Sequence, residues 1–152
     1  MGGVGLKVKV VENENILEPE IIITCKKADE GIRKILASIQ MFDQKLIGTR
    51  ENQTYIIEAS KILYIDTVDK KAFLYTSNFA YETPMKLYEL EERLESSDFF
   101  RAGKSTIINF NQIKSLKPDL YGRFQVTLNN GEKLFVSRQY AVTIKQKLGV
   151  VK

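Results

Sequence analysis

The 152-residue chain has no histidine, a single cysteine (Cys25) and three prolines. Without histidine it lacks the side chain most often used as a general base near neutral pH, the commonest metal ligand, and every His-dependent catalytic triad. One cysteine forms no disulfide within the chain, which fits a reducing compartment, and it cannot furnish a zinc site, which takes several Cys or His ligands. The nine glycines are scattered, with neither a GxGxxG nor a GKS or GKT phosphate loop. Apolar runs are short. Stretches such as Glu20–Thr24 and Tyr55–Ile57 fall far below the roughly 20 residues that cross a bilayer, and no basic segment followed by an apolar stretch opens the chain. Asp66 and Asp69 are the one carboxylate pair considered for a cation, and on a charged turn they read as solvated surface. The expectation is a non-enzyme without cofactor or bound metal.

What is present is an ordinary globular composition, 43% apolar and 28% charged, enough for one proper core. Charge is divided along the chain. Residues 1–98 carry 13 Lys/Arg against 17 Asp/Glu, whereas residues 99–152 carry 10 against 2, so the overall +4 conceals a basic C-terminal third. Such a segment favours a polyanionic partner, because Lys and Arg placed near phosphates release condensed counterions.

Period-two alternation marks Leu6–Val11 (LKVKVV) as a half-buried strand, and Glu20–Thr24 (EIIIT) reads as a second, more buried one. Ile32, Ile35, Leu36 and Ile39 recur at helical spacing over Ala28–Met41, with Asp29 and Glu30 at the positive end. This predicts a small β-β-α unit over residues 1–45. Lys45–Asn52 reads as linker or edge, with Gly48 marking a turn. Short strands follow at Thr54–Ile57, Ile62–Thr67, Ala72–Thr76, Phe79–Thr83, Thr106–Asn109, Ile113–Leu116, Arg123–Leu128 and Lys133–Val136. Val68–Lys71 is a charged turn, Ser77-Asn78 a hairpin turn, and Asn129-Asn130-Gly131 a strong hairpin signal. Thr83-Pro84 is expected to open a helix whose buried side carries Leu87, Leu90 and Leu94. Ser137 is expected to cap a last helix with Tyr140, Ile144 and Leu148 on one face, closed by Gly149. The fold class is mainly β, α+β overall: antiparallel sheets with a few short helices, preceded by the β-β-α unit. So many short strands argue against a helix-turn-helix.

Four motifs now stand in register. Asp98-Phe99-Phe100-Arg101-Ala102-Gly103-Lys104-Ser105-Thr106-Ile107-Ile108-Asn109 presents F-x-R, a polar loop, Ser, two β-branched residues and Asn. Asn130-Gly131-Glu132-Lys133-Leu134-Phe135-Val136-Ser137-Arg138-Gln139-Tyr140 presents an NG turn, a strand and SR-x-Y. Upstream lie Ile62-Leu63-Tyr64-Ile65-Asp66 and the helix Leu87-Tyr88-Glu89-Leu90-Glu91. Residues 46–152, matched over roughly 46–149, resemble the LytTR family of DNA-binding domains. The resemblance implies a bacterial, cytoplasmic transcription regulator that contacts successive major grooves through loops. Those loops would be Asp69-Lys70-Lys71, Gly103-Lys104-Ser105 and Ser137-Arg138-Gln139. Lys104 and Arg138 are the candidates for base readout, with Arg138 able to grip guanine bidentately. Gln139 would pair with adenine, Lys70 and Lys71 would touch phosphate, and Ser105 belongs to the presented loop. Phe99, Phe100 and Asn109 read as structural. Many family members have a histidine where Gly103 stands, so their base preference does not transfer.

The family often joins such domains to phosphoacceptor receivers in response regulators, but about 45 residues are too few for a doubly wound receiver. Residues 1–45 are instead expected to serve association or regulation. Homodimers on paired promoter repeats in double-stranded DNA are expected, and some short relatives of this kind are restrained by a small membrane protein. The alternative is a β module whose basic surface serves a protein or RNA. Its weakness is that most Tyr and Phe alternate with polar residues inside strands, as core residues do, rather than forming a stacking platform.

Overall fold

The computed structural model describes residues 5–149; residues 1–4 and 150–152, the outer ends of the two expected units, lie outside the described residues. Helix α1 (Glu30–Asp43) is followed by strands β1 (Lys45–Arg50), β2 (Gln53–Glu58), β3 (Tyr64–Val68), β4 (Lys71–Tyr75) and β5 (Ala80–Thr83). Then come helix α2 (Leu87–Arg93), strands β6 (Phe99–Arg101), β7 (Thr106–Asn109), β8 (Ile113–Pro118), β9 (Phe124–Leu128) and β10 (Lys133–Val136), and helix α3 (Ala141–Lys147). All pairing is antiparallel. One sheet has seven strands in the order β2-β1-β5-β4-β3-β7-β6, and the other has three in the order β10-β9-β8.

The central strands of the large sheet are apolar on both faces. Ile65, Leu74, Phe99 and Ile107 point to one side and pack with Leu90 and Leu94 of the α2 segment. Tyr64, Phe100 and Ile108 point to the other and meet Phe124, Val126, Leu128 and Val136 of the small sheet, with Ala141 and Ile144 of α3. Neighbouring residues alternate faces in a strand, so Phe99-Phe100 and Ile107-Ile108 each serve two cores. Each fully buried Leu or Ile contributes about 1.5–3 kcal/mol of transfer free energy, and the two clusters together form a three-layer molecule. Tyr64 stacks on Tyr75 with ring centroids 4.5 Å apart. Its hydroxyl donates to Glu132 of the β9–β10 hairpin at 2.9 Å. Burial first, and the Glu132 carboxylate second, hold the Tyr64 proton well above the ordinary tyrosine range. Asn109 is structural as expected: buried, it donates from its amide to the Ile62 carbonyl (2.9 Å) and accepts from the Asn111 amide (3.0 Å).

Several expectations need correction. Lys45–Asn52 is not a linker and no turn falls at Gly48: the turn lies at Glu51-Asn52, and Lys45–Arg50 is a full strand, paired over its whole length with β2. Gly48 sits inside it because β1 and β5 cross closely there. A Cβ at Gly48 would lie 2.6 Å from the Tyr81 Cβ and 2.9 Å from the Ile57 Cδ1. Phe99–Arg101 is a strand as well, three residues long. Thr83 ends β5 and is buried; helix α2 starts only at Leu87, where the Glu89 carboxylate accepts from the Lys86 amide at 2.8 Å. Ser137 gives no side-chain cap; a 3-10 turn over Arg138–Tyr140 precedes α3. Leu148 is half exposed, whereas Ile144 is buried.

The largest difference is at the N-terminus. Helix α1 forms as expected, with Asp29 accepting from the Ile32 amide at 3.1 Å, and lies against the turns at 59–61 and 95–97. The two preceding strands do not form: residues 5–29 have no strand or helix. Period-two alternation prepares a strand but does not supply the neighbouring strand that must accept its hydrogen bonds. Val8 is 88% exposed, and Leu6, Val10, Ile21 and Ile22 are also in solvent.

The crossing at Gly48 sets a first prediction. Gly48→Ala forces backbone-adjacent Cβ atoms apart and is expected to cost about 1–3 kcal/mol in urea unfolding, the usual range for overpacking. Gly103→Ala, where an added Cβ meets nothing within 4 Å, should change stability by less than about 0.5 kcal/mol. Equal effects at the two positions would contradict this account of β1.

Candidate nucleic-acid interface

The three expected loops converge at one end of the molecule. The β3–β4 turn is a tight hairpin in which Asp69 and Lys70 both take left-handed backbone, φ 52° and 68°, with Val68 paired to Lys71. Two such residues match the right-handed twist of the flanking strands. Because β3 pairs with β7, the turn lies beside the β6–β7 loop, and the Thr67 amide donates to the Ser105 carbonyl at 3.1 Å. That loop joins the third: the Ser137 amide donates to the Ala102 carbonyl at 2.9 Å. Lys70, Lys71, Lys104, Arg138 and Gln139 are exposed, and Ser105 is half-buried.

Arg101 holds the middle loop in shape. Its Nε donates to the Gly103 carbonyl (2.7 Å) and one terminal nitrogen to the Lys104 carbonyl (2.6 Å). The other terminal nitrogen pairs with Glu91 of α2 at 2.7 Å, and the guanidinium lies 5.9 Å from the centre of the Tyr140 ring. A planar fork suits this multidentate work better than an ammonium does. Sequence reasoning quoted Arg101 as a motif residue without giving it a task. The spacing carries no sign that its donors turn back on its own loop.

The positive charges therefore divide into two groups. Arg101, Arg123 and Lys147 are spent on Glu91, Asp119 and Asp98. Lys70, Lys71, Lys104 and Arg138 make no ion pair with any described residue, so their charges remain available to a polyanion. One oxygen of Asp66 accepts from the Thr67 amide (2.9 Å) and the Thr106 hydroxyl (3.2 Å). Among the described residues no group of three or more acidic or cysteine side chains is arranged to hold a metal. No described helix is long and apolar enough to cross a membrane.

A fourth segment, missed in the sequence, adjoins the third loop. The β8–β9 turn carries Gly122 at φ +77°, and the Arg138 side chain lies along it; a Cβ at Gly122 would meet the Arg138 Cδ at 2.8 Å. Glycine is needed there both for the backbone and for the room.

Comparison with known proteins identifies the family and the fold. The family model described as the LytTr DNA-binding domain matches residues 52–149. The chain belongs to that family of DNA-binding domains. It is similar to the LytTr DNA-binding domain of a Bacillus cereus protein described as a methyl-accepting/DNA response regulator, with 28% identity and a TM-score of 0.66, covering 70% of this chain and 98% of that one. It is also similar to proteins named HTH-type transcriptional regulators from Staphylococcus aureus strains NCTC 8325 and COL. Each is 27% identical over 147 residues, covering 95% of this chain and 99% of the relative, so the likeness extends through most of residues 1–45. The β-rich fold described above contains no helix-turn-helix among its described residues.

Arg101 generates the second prediction. Arg101→Lys keeps the charge but cannot bridge two carbonyls and Glu91 together. It should lower stability by about 1–3 kcal/mol, since hydrogen bonds to charged groups are being lost. Amide hydrogen exchange should rise at Lys104–Thr106 more than in β9. Unchanged exchange in the loop would remove Arg101 from its positioning role.

Proposed function

We propose that this protein is a sequence-specific regulator of transcription that grips duplex DNA with the loop row 69–71, 103–105 and 137–139. The observation that carries the reading is the gathering of four unpaired cations, Lys70, Lys71, Lys104 and Arg138, onto one end of a LytTR fold. Base edges in a major groove are read by side chains at the right depth, and a rigid loop reaches that depth as a helix does. Arg138 and Lys104, beside one another across the Ser137–Ala102 bond, are assigned to base readout, with Gln139 beside them. Lys70 and Lys71, on the tight outer hairpin, are assigned to phosphate, and Ser105 to the loop backbone. The protein works in the bacterial cytoplasm without cofactor and without catalysing a reaction.

The two units of the chain are residues 1–45, for association or regulation, and 46–152, for DNA. Two protomers occupy paired promoter repeats about one helical turn apart. The exposed alternating segments in residues 5–29 favour pairing with a second copy, since unpartnered apolar strands recruit one another. A small membrane-protein regulator is a second use of the same surface.

Footprinting on the promoter of the protein's own operon tests the central claim: a bounded protected site is expected, whereas equal, salt-sensitive binding to any duplex, or preference for RNA, would end it. Within that site the charges should separate. Arg138→Ala and Lys104→Ala should each cost roughly 1–3 kcal/mol at the specific site and relax one base preference. Lys70→Ala should weaken specific and random DNA alike and lower the salt slope by about one. If Arg138→Ala acts equally on all sequences, the assignment of reading to Arg138 fails.

Association is tested by removing residues 1–29 and keeping α1. Cooperative filling of two half-sites should be lost while single half-site affinity is retained. Undiminished cooperativity would assign the N-terminal segment to another partner.

A further inference from the structure

The β8–β9 turn presents two large apolar side chains to solvent at the end of a basic row. Leu120 is 91% and Tyr121 71% exposed. Isolated exposed apolar residues are commonplace, but these two sit on a braced turn. The Asp119 amide donates to the Arg123 carbonyl at 2.8 Å, and the Gly122 amide to the Asp119 carbonyl at 3.3 Å. The Asp119 carboxylate accepts from the Arg123 guanidinium, which in turn lies 4.3 Å from the centre of the Phe135 ring. The Leu120 amide and Arg123 keep the Asp119 carboxyl below the ordinary carboxylate range, so the brace is intact at neutral pH. A turn this constrained places its tip without ordering cost when a partner arrives.

The position of the tip names the partner. Backbone bonds link Thr67, just before turn 69–70, to Ser105, and Ser137 to Ala102, while the Arg138 side chain lies on Gly122. Each of the four segments therefore adjoins the next, and Leu120-Tyr121 stand on the last of them, immediately before the Gly122 that meets Arg138. Lys117 on β8 and Arg138 flank this pair, and both are exposed. Apolar side chains between cations suit the mixed surface of duplex DNA, whose phosphates alternate with deoxyribose faces and thymine methyl groups.

We propose that Leu120 and Tyr121 form a fourth DNA contact, packing on deoxyribose and thymine methyl groups just outside the base read by Arg138. This extends the row by one step and rests on the DNA reading given above. It makes the base pairs flanking the Arg138 contact part of the recognised sequence, with a preference for A·T there.

The test uses the full chain and a duplex selected by it from a randomised pool. Selection of no sequence would overturn the DNA reading itself, and this proposal with it. Given a selected duplex, the double variant Leu120→Ser/Tyr121→Ser should bind roughly tenfold more weakly, as loss of partial burial of two such side chains implies. Hydroxyl-radical protection should disappear from the sugars on one flank only, and the salt slope should not change, because no charge is removed. Leu120→Ser alone, at a side chain almost wholly in solvent, guards against misfolding and should show part of the same loss. Unchanged affinity and footprint would overturn the fourth contact and leave the DNA reading standing. Weaker binding with the flank still protected and the Arg138 base preference relaxed would also overturn it, since the turn would then act only by supporting Arg138.

Discussion

The whole arrangement depends on one constraint: β3, β6 and β7 are apolar on both faces. A strand that alternates apolar with polar needs one covering layer, whereas Ile107-Ile108 and Phe99-Phe100 need two. Helix α2 covers one side, and the small sheet with α3 covers the other. Once the small sheet is pressed against the large one, the exit of β10 has no choice but to run past the β6–β7 loop, where the Ser137 amide finds the Ala102 carbonyl. The basic row at one end of the molecule is thus a consequence of core packing. Its spacing is set by the two cores beneath it.

Much of this was legible in the sequence. The hairpin at Asn129-Asn130-Gly131, the charged turn at Asp69-Lys70 and the β-rich C-terminal region follow from local chemistry, which long-range packing here reinforces. Gly48 misled because a glycine inside a strand pattern looks like a break; its reason, the Tyr81 Cβ on a strand more than thirty residues away, is invisible locally. Phe99–Arg101 is too short to show any period. Leu6–Val11 and Glu20–Thr24 have the pattern of strands and lack a neighbour, so their conformation is decided by something other than their own residues.

The candidate site divides similarly. Its exposed cations stand out in the sequence through charge asymmetry and motif resemblance. Neither the loop-bracing contacts of Arg101 nor the approach of the β8–β9 turn to Arg138 shows in the local sequence. Both involve contacts between residues distant in the chain, with Glu91 in one case and with Arg138 in the other. The sequence Asp119-Leu120-Tyr121-Gly122-Arg123 did contain a hint, two large apolar residues at the tip of a glycine turn in an otherwise basic stretch.

The paired left-handed residues of the β3–β4 hairpin carry a consequence for how this position can vary. Asp69 and Lys70 occupy backbone that glycine or asparagine would fill with less strain, at a cost on the order of 1–2 kcal/mol for each ordinary side chain. Glu51 and Asn52 of the β1–β2 turn take the same left-handed pair, φ 52° and 64°, whereas in the Asn130-Gly131 turn only Gly131 does, at φ 93°. Replacing Lys70 with glycine would relieve that strain at the expense of one surface charge.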